Sequence, residues 1–80
     1  MPNTDWQKPV TVALPGVGRR EISNAFEALA VLTEGWPSMT GQHFLRARLS
    51  CKAVLDERMT PEQARSEFEQ AAREAGSFLN

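Results

Sequence analysis

The chain has 80 residues, a formal net charge of −1, one cysteine and one histidine. A chain of this length forms one domain with a small core, and its nearly neutral charge argues against a general nucleic-acid coat protein, which would be strongly basic. One cysteine excludes an intramolecular disulfide, and one cysteine with one histidine excludes a Cys/His zinc site within the chain. We also find no grouping of nucleophile, base and orienting residue. We therefore predict no catalytic residues, no metal and no cofactor, and hence a protein that is not an enzyme.

The hydropathy pattern indicates the expected cellular location of the protein. No apolar run reaches the length that spans a membrane. Residues 1–5 lack the basic and apolar regions of a secretory signal. We therefore expect a cytoplasmic protein that does not associate with a membrane.

The first predicted elements form a β-hairpin. Residues 1–8 are expected to be a flexible N-terminus, and residues 10–14 then alternate large apolar and small side chains, as in a half-buried strand. Residues 15–18 read Pro-Gly-Val-Gly, which is typical of a turn, and residues 19–22 can return as a second strand. The G-x-G of this turn is not followed by a helix, so it does not indicate a dinucleotide site.

Two helices are predicted after the hairpin. Ser23 or Asn24 can cap the first helix, which ends at Gly35. Thr40 can cap the second helix, which runs to about Leu55. Both boundaries rest on residue types that prefer helix ends.

A third helix has the clearest boundaries. Thr60 is the predicted cap, Pro61 is the first helical residue, and Gln63 completes a capping box. Gly76 ends this helix, and residues 77–80 are expected to form a C-terminal tail.

The order of elements predicts the fold class. The chain is expected to be α+β, with an N-terminal two-stranded β-hairpin followed by three α-helices in one compact domain over residues 9–76. The apolar stripes of the helices predict a shared core. Its expected members are Leu29, Leu32, Phe44, Cys51 and Phe68.

A set of residues in fixed order points to a family. The set comprises Pro9-Val10, Glu27-Ala28, Leu32, Trp36-Pro37, Gly41, Cys51, Ala64-Arg65, Phe68, Ala71-Ala72 and Glu74-Ala75-Gly76. With these residues the chain resembles a small family of alpha-proteobacterial proteins that is defined only as a domain of unknown function. The resemblance implies a compact α+β domain and no particular activity, and no functional residue is carried over.

Two reactive side chains are interpreted as structural. Cys51 lies on the apolar stripe of the second helix, where a free cysteine packs as a small hydrophobic residue. His43 lies about 12 Å away along that helix at 1.5 Å per residue, so the two cannot form a catalytic pair. A thiol-based sensor that uses Cys51 and Trp36 is the less favoured alternative.

The second helix also carries a separate apolar strip, formed by Leu45 and Leu49. Two leucines left in water would forgo much of a small domain's stability. Either the strand over residues 10–14 covers them, or a second chain does.

These observations define a candidate partner surface. Its members are Trp36, Leu45, Arg46, Arg48, Leu49 and Lys52. The favoured function is a non-enzymatic protein-interaction module, with a homodimer as one form of it. The alternative is an accessory nucleic-acid or polyanion binder that uses Arg46, Arg48 and Lys52, because cations clustered on a helix can contact phosphates.

Overall fold

A computed structural model describes residues 4–80, and its elements follow the predicted order. They are β1 (Asp5–Leu14), β2 (Gly18–Asn24), α1 (Ala25–Thr33), α2 (Gln42–Leu55) and α3 (Pro61–Glu74). The two strands pair antiparallel. The predicted α+β fold, a hairpin followed by three helices, is therefore confirmed. No helix within residues 4–80 is both long and apolar enough to cross a membrane.

Strand β1 begins earlier than the sequence predicts. Of the N-terminal segment expected to be flexible, residues 5–8 belong to β1, whereas residues 1–3 lie outside the described residues. Trp6 in this segment is buried in the core. The local pattern misses the strand because Gln7, Lys8 and Pro9 separate Trp6 from the alternating residues that follow.

Helix α3 holds the early part of β1 by two long-range hydrogen bonds. The backbone N–H of Gln7 donates to the Glu62 carboxylate at 3.0 Å. The Arg65 guanidinium donates to the Lys8 carbonyl at 2.7 Å. The regular register between β1 and β2 is interrupted in this region, so these side chains replace part of the strand pairing.

The C-terminal segment, expected to be a tail, pairs with the other edge of β1. The Thr11 N–H donates to the Asn80 carbonyl at 2.9 Å, and the Ala13 N–H donates to the Ser77 carbonyl at 2.8 Å. Phe78 forms a bridge with the strand. Residues 77–80 therefore extend the folded structure beyond the predicted limit at Gly76.

The core lies between the hairpin and the helices. The predicted members Leu32, Phe44, Cys51 and Phe68 are all buried, and Leu29 packs against them while partly exposed. The apolar stripes of the three helices therefore meet as predicted.

Two tryptophans flank Phe68 within this core. The Phe68 ring centroid lies 5.5 Å from that of Trp6 and 5.4 Å from that of Trp36. Trp36 is only 6% exposed. The structure therefore removes Trp36 from the candidate partner surface, because its ring is used in packing against Phe68.

The helix caps of α1 and α3 follow the sequence closely. The Glu27 N–H donates to the Asn24 side chain at 2.8 Å, so Asn24 caps α1. Thr60 and Gln63 form the predicted reciprocal capping box at the start of α3, where Pro61 is the first residue. Residue types near each end were sufficient for these predictions.

Helix α2 begins differently from the prediction. Its N-cap is Gly41 rather than Thr40. Glycine has no side chain that could accept a hydrogen bond from the first turn of the helix. The Glu74 carboxylate, from the end of α3, accepts instead from the backbone N–H groups of His43 and Phe44, both at 3.2 Å. A carboxylate at a helix N-terminus also interacts favourably with the helix dipole. A tertiary contact thus replaces the predicted local cap.

Candidate interaction surface

The predicted apolar strip on α2 is exposed in the structure. Leu45 is 54% exposed and Leu49 is 70% exposed. Strand β1 packs mainly on α3, and β2 packs on α1, so the hairpin does not lie over these leucines. The alternative in which residues 10–14 cover the strip is therefore wrong.

Helix α1 extends the strip into a larger surface made of two shallow hollows. The hollow between α1 and α2 is lined by Leu29, Leu45, Arg48, Leu49 and Lys52. The neighbouring hollow is lined by Phe26, Leu29, Ala30, Thr33 and Glu34. Leu29 lines both hollows, so they adjoin, and together they are called the α1–α2 groove below.

Phe26 is a member of this groove that was not among the predicted surface residues. Its side chain is 66% exposed, whereas Ala25, Ala28 and Leu32 are fully buried. Apolar residues surround most of α1, so their periodicity alone does not show which side faces the core. One signal was available: residues 26, 29, 30 and 33 fall at the i, i+3, i+4, i+7 spacing of a second helical face.

The three residues of the predicted basic cluster do not lie on one face of α2. Arg48 and Lys52 line the groove, whereas Arg46 is exposed but is not among the lining residues. Residues two apart on a helix do not share a face, which accounts for the division. Within the part of the chain that the structure describes, none of the three forms a salt bridge. The Arg48 guanidinium lies 5.6 Å from the centroid of the Phe44 ring.

Cys51 and His43 lie away from this groove. Cys51 is fully buried, and burial raises the pKa of its thiol to about 12. The thiol is therefore protonated near neutral pH, which removes the reactive thiolate that a sensor needs. His43 lies in the first turn of α2, and its Nδ1 atom is buried without a hydrogen-bond partner. Among residues 4–80, no group of three or more His, Cys, Asp or Glu side chains is arranged to hold a metal ion.

The fold and its sequence pattern define a family. The sequence model of the family described as "Protein of unknown function (DUF982)" matches residues 8–78, and this chain belongs to that family. The resemblance to a family of unknown function is thereby confirmed.

A solved relative has the same fold. The NMR structure of the Agrobacterium tumefaciens protein Atu1219 is 30% identical in sequence and superposes with a TM-score of 0.79. The alignment covers 96% of this chain and 77% of that chain. No curated protein matches the chain.

Proposed function

We propose that this chain is a non-enzymatic protein-interaction module that binds its partner through the α1–α2 groove. The observation that carries the proposal is the exposure of three large apolar side chains on one surface. Phe26, Leu45 and Leu49 are 66%, 54% and 70% exposed, respectively. Adjoining exposed apolar residues on a small domain mark a binding surface.

Other exposed apolar residues provide a contrast. Val17 lies in the hairpin turn, Met39 lies in the loop before α2, and Leu79 lies in the C-terminal segment. None of them lines the α1–α2 groove. Single exposed apolar residues are normal on protein surfaces. The groove differs because its apolar residues come from two packed helices.

Burial of these side chains by a partner contributes favourably to the free energy of binding. Covering one leucine or phenylalanine stabilises by about 1.5–3 kcal/mol. These three side chains are already partly buried, so covering the rest of each offsets only part of the cost of association, and further contacts along the groove must supply the remainder. A different protein and a second copy of this chain are both partners of this kind.

The polyanion alternative has less support. It requires Arg46, Arg48 and Lys52 to act on one ligand, and Arg46 does not line the surface that holds the other two. A polyanion site also gives no role to Phe26 and the two leucines. Titration of single-stranded DNA at two salt concentrations tests it, since binding through phosphates weakens steeply as salt rises.

Site-specific photocrosslinking in the native cell tests the proposal. We expect a photoreactive phenylalanine analogue at position 49 to give a discrete adduct, because that position lines the groove and is 70% exposed. The same analogue at position 79 is the matched control, since Leu79 is also an exposed leucine but lies outside the groove. The mass of the adduct distinguishes a second copy from a different protein. Absence of an adduct at positions 26, 45 and 49 would contradict the proposal.

A Leu49→Glu variant gives an independent measurement in the purified protein. Leu49 is solvent-exposed within the chain, so we expect the free energy of unfolding of the monomer to change by less than about 0.5 kcal/mol. If the partner is a second copy, light scattering will show a dimer in the parent protein and a monomer in the variant. Leu79→Glu is the control with the same change of side chain.

A further inference from the structure

We infer that the element that binds the α1–α2 groove is an acidic amphipathic helix of a partner protein. This inference rests on the proposed function and specifies the chemistry of the partner. Two features of the groove carry it, namely its shape between two helices and the charge along its side.

The shape of the groove fits one short helix. Leu45, Leu49 and Lys52 extend along α2 for about 10 Å at 1.5 Å per residue. Apolar and small side chains of α1 form the other side. A helix in such a groove presents apolar residues at i, i+3 or i+4, and i+7, over two to three turns. The exposed Phe26 side chain lies at the α1 side, where it can contact the partner's apolar face.

The charge of the groove indicates whether the partner's charged residues are acidic or basic. Arg48 and Lys52 lie one helical turn apart beside Leu45 and Leu49, and neither forms a salt bridge within residues 4–80. Glu34 is the one acidic residue among the side chains that line the two hollows. The side of the groove formed by α2 is therefore basic, although the whole chain has a net charge of −1. Carboxylates spaced one turn apart on a partner helix would meet both cations.

The same charges disfavour a second copy of this chain as the occupant. A two-fold symmetric contact places the same patch of both copies face to face. A contact centred between Leu45 and Leu49 would bring Arg48 of one copy close to Arg48 of the other, because Arg48 lies within one residue of the axis. Like charges across an interface oppose association, so an acidic partner fits this surface better.

The experiment uses a phage-displayed library of helical peptides. The apolar positions vary among Leu, Ile, Phe, Met and Ala, and the flanking positions vary among Glu, Gln and Lys. Selection uses the full-length chain, with counter-selection on its Leu49→Ser variant, which removes the apolar contact without changing the charge of the groove. We expect Glu to be enriched over Gln and Lys at two flanking positions one turn apart.

The highest-ranked peptide is then synthesised and its affinity measured against charge variants. We expect Arg48→Glu and Lys52→Glu each to weaken binding at least tenfold, and a Glu→Lys peptide to recover binding to one of them. Arg46→Glu is the matched control, because it makes the same change of charge outside the groove, and it should alter affinity less than twofold. Urea denaturation of each variant verifies that the fold is retained.

The possible outcomes separate this inference from the proposed function. Enrichment of Gln or Lys, or equal losses with Arg46→Glu and Arg48→Glu, would overturn the acidic helix and leave the groove as a protein-binding surface. No enriched peptide together with a crosslinked dimer would also overturn it, in favour of a second copy. No enriched peptide and no adduct at positions 26, 45 and 49 would overturn both.

Discussion

The Glu74 carboxylate occupies the space that a side chain at position 41 would need. A Cβ atom built on Gly41 would overlap the carboxylate, and the Gly41 backbone has a φ of 117°. The same carboxylate accepts hydrogen bonds from His43 and Phe44 at the start of α2. The absence of a side chain at Gly41 thus allows the end of α3 to cap α2.

Removing this cap should lower stability. We expect Glu74→Ala to reduce the free energy of unfolding by about 1–2 kcal/mol, because two N–H groups in the first turn of α2 lose their acceptor. Urea denaturation followed by circular dichroism measures the change. Gln70→Ala is the control on the exposed side of α3 and should remain within about 0.5 kcal/mol of the parent. Equal stability of both variants would mean that water caps α2 as well as Glu74 does.

A side chain at position 41 should be costly for two separable reasons. We expect Gly41→Ala to destabilise by more than about 1 kcal/mol, because its backbone conformation is strained for alanine and its Cβ meets Glu74. Gly16→Ala is the control, since Gly16 has a φ of 75° but open space around its Cβ position. In a double-mutant cycle with Glu74→Ala, the combined loss should be smaller than the sum of the single losses. Strict additivity would show that the overlap has no energetic effect.

Phe68 should be among the most sensitive positions in the core. It is fully buried between Trp6 and Trp36. We expect Phe68→Ala to cost about 3–5 kcal/mol, which would unfold much of so small a domain. Phe26→Ala makes the same change at a side chain that is 66% exposed, and it should cost less than about 0.5 kcal/mol. A loss below about 1 kcal/mol for Phe68→Ala in a urea titration would contradict the assigned core.

The sequence predicted what depends on local residue types and on clear helical stripes. Thr60, Pro61 and Gln63 determine the start of α3 from within four residues. Phe44 and Cys51 lie on the buried stripe of α2, as expected. Their positions follow from rules that need no knowledge of the rest of the chain.

What the sequence did not predict depends on contacts between distant segments. The burial of Trp6 requires Phe68, and the cap of α2 requires Glu74 at the end of another helix. The α2 side of the α1–α2 groove was predicted from Leu45 and Leu49. The contribution of Phe26 was not predicted. The spacing of residues 26, 29, 30 and 33 marks a second apolar face of α1, but the packing of α1 on its neighbours decides which of its two faces is covered.

Cys51 should react with thiol reagents only when the chain unfolds. Its pKa is raised to about 12 by burial, so at pH 8 we expect no reaction with an aromatic disulfide reagent in buffer and complete reaction in concentrated urea. Fast labelling of the folded protein would show that the side chain is reachable.

The same pKa makes stability depend on alkaline pH. The folded state holds the thiol proton more tightly than the unfolded state, in which the pKa has its ordinary value of 9.0. The contribution of Cys51 is therefore fully present below pH 9 and is lost as pH rises toward 12, at up to about 1.4 kcal/mol per pH unit. Cys51→Ala should remove this part of the slope, as measured by urea denaturation at pH 8, 9 and 10. Parallel slopes for parent and variant would contradict it.

The attachment of β1 to α3 and to the C-terminal segment has a consequence for the order of folding. The hydrogen bonds from Gln7 to Glu62 and from Arg65 to Lys8 join residues 55 and 57 positions apart, whereas the hairpin and the caps of α1 and α3 close within short stretches of chain. Large loops lose more entropy when they close, so contacts of this range form late unless much else is already in place. The hairpin turn and the separate helices should therefore gain structure first. The docking of the first strand, together with its closure by residues 77–80, should follow as the slower step.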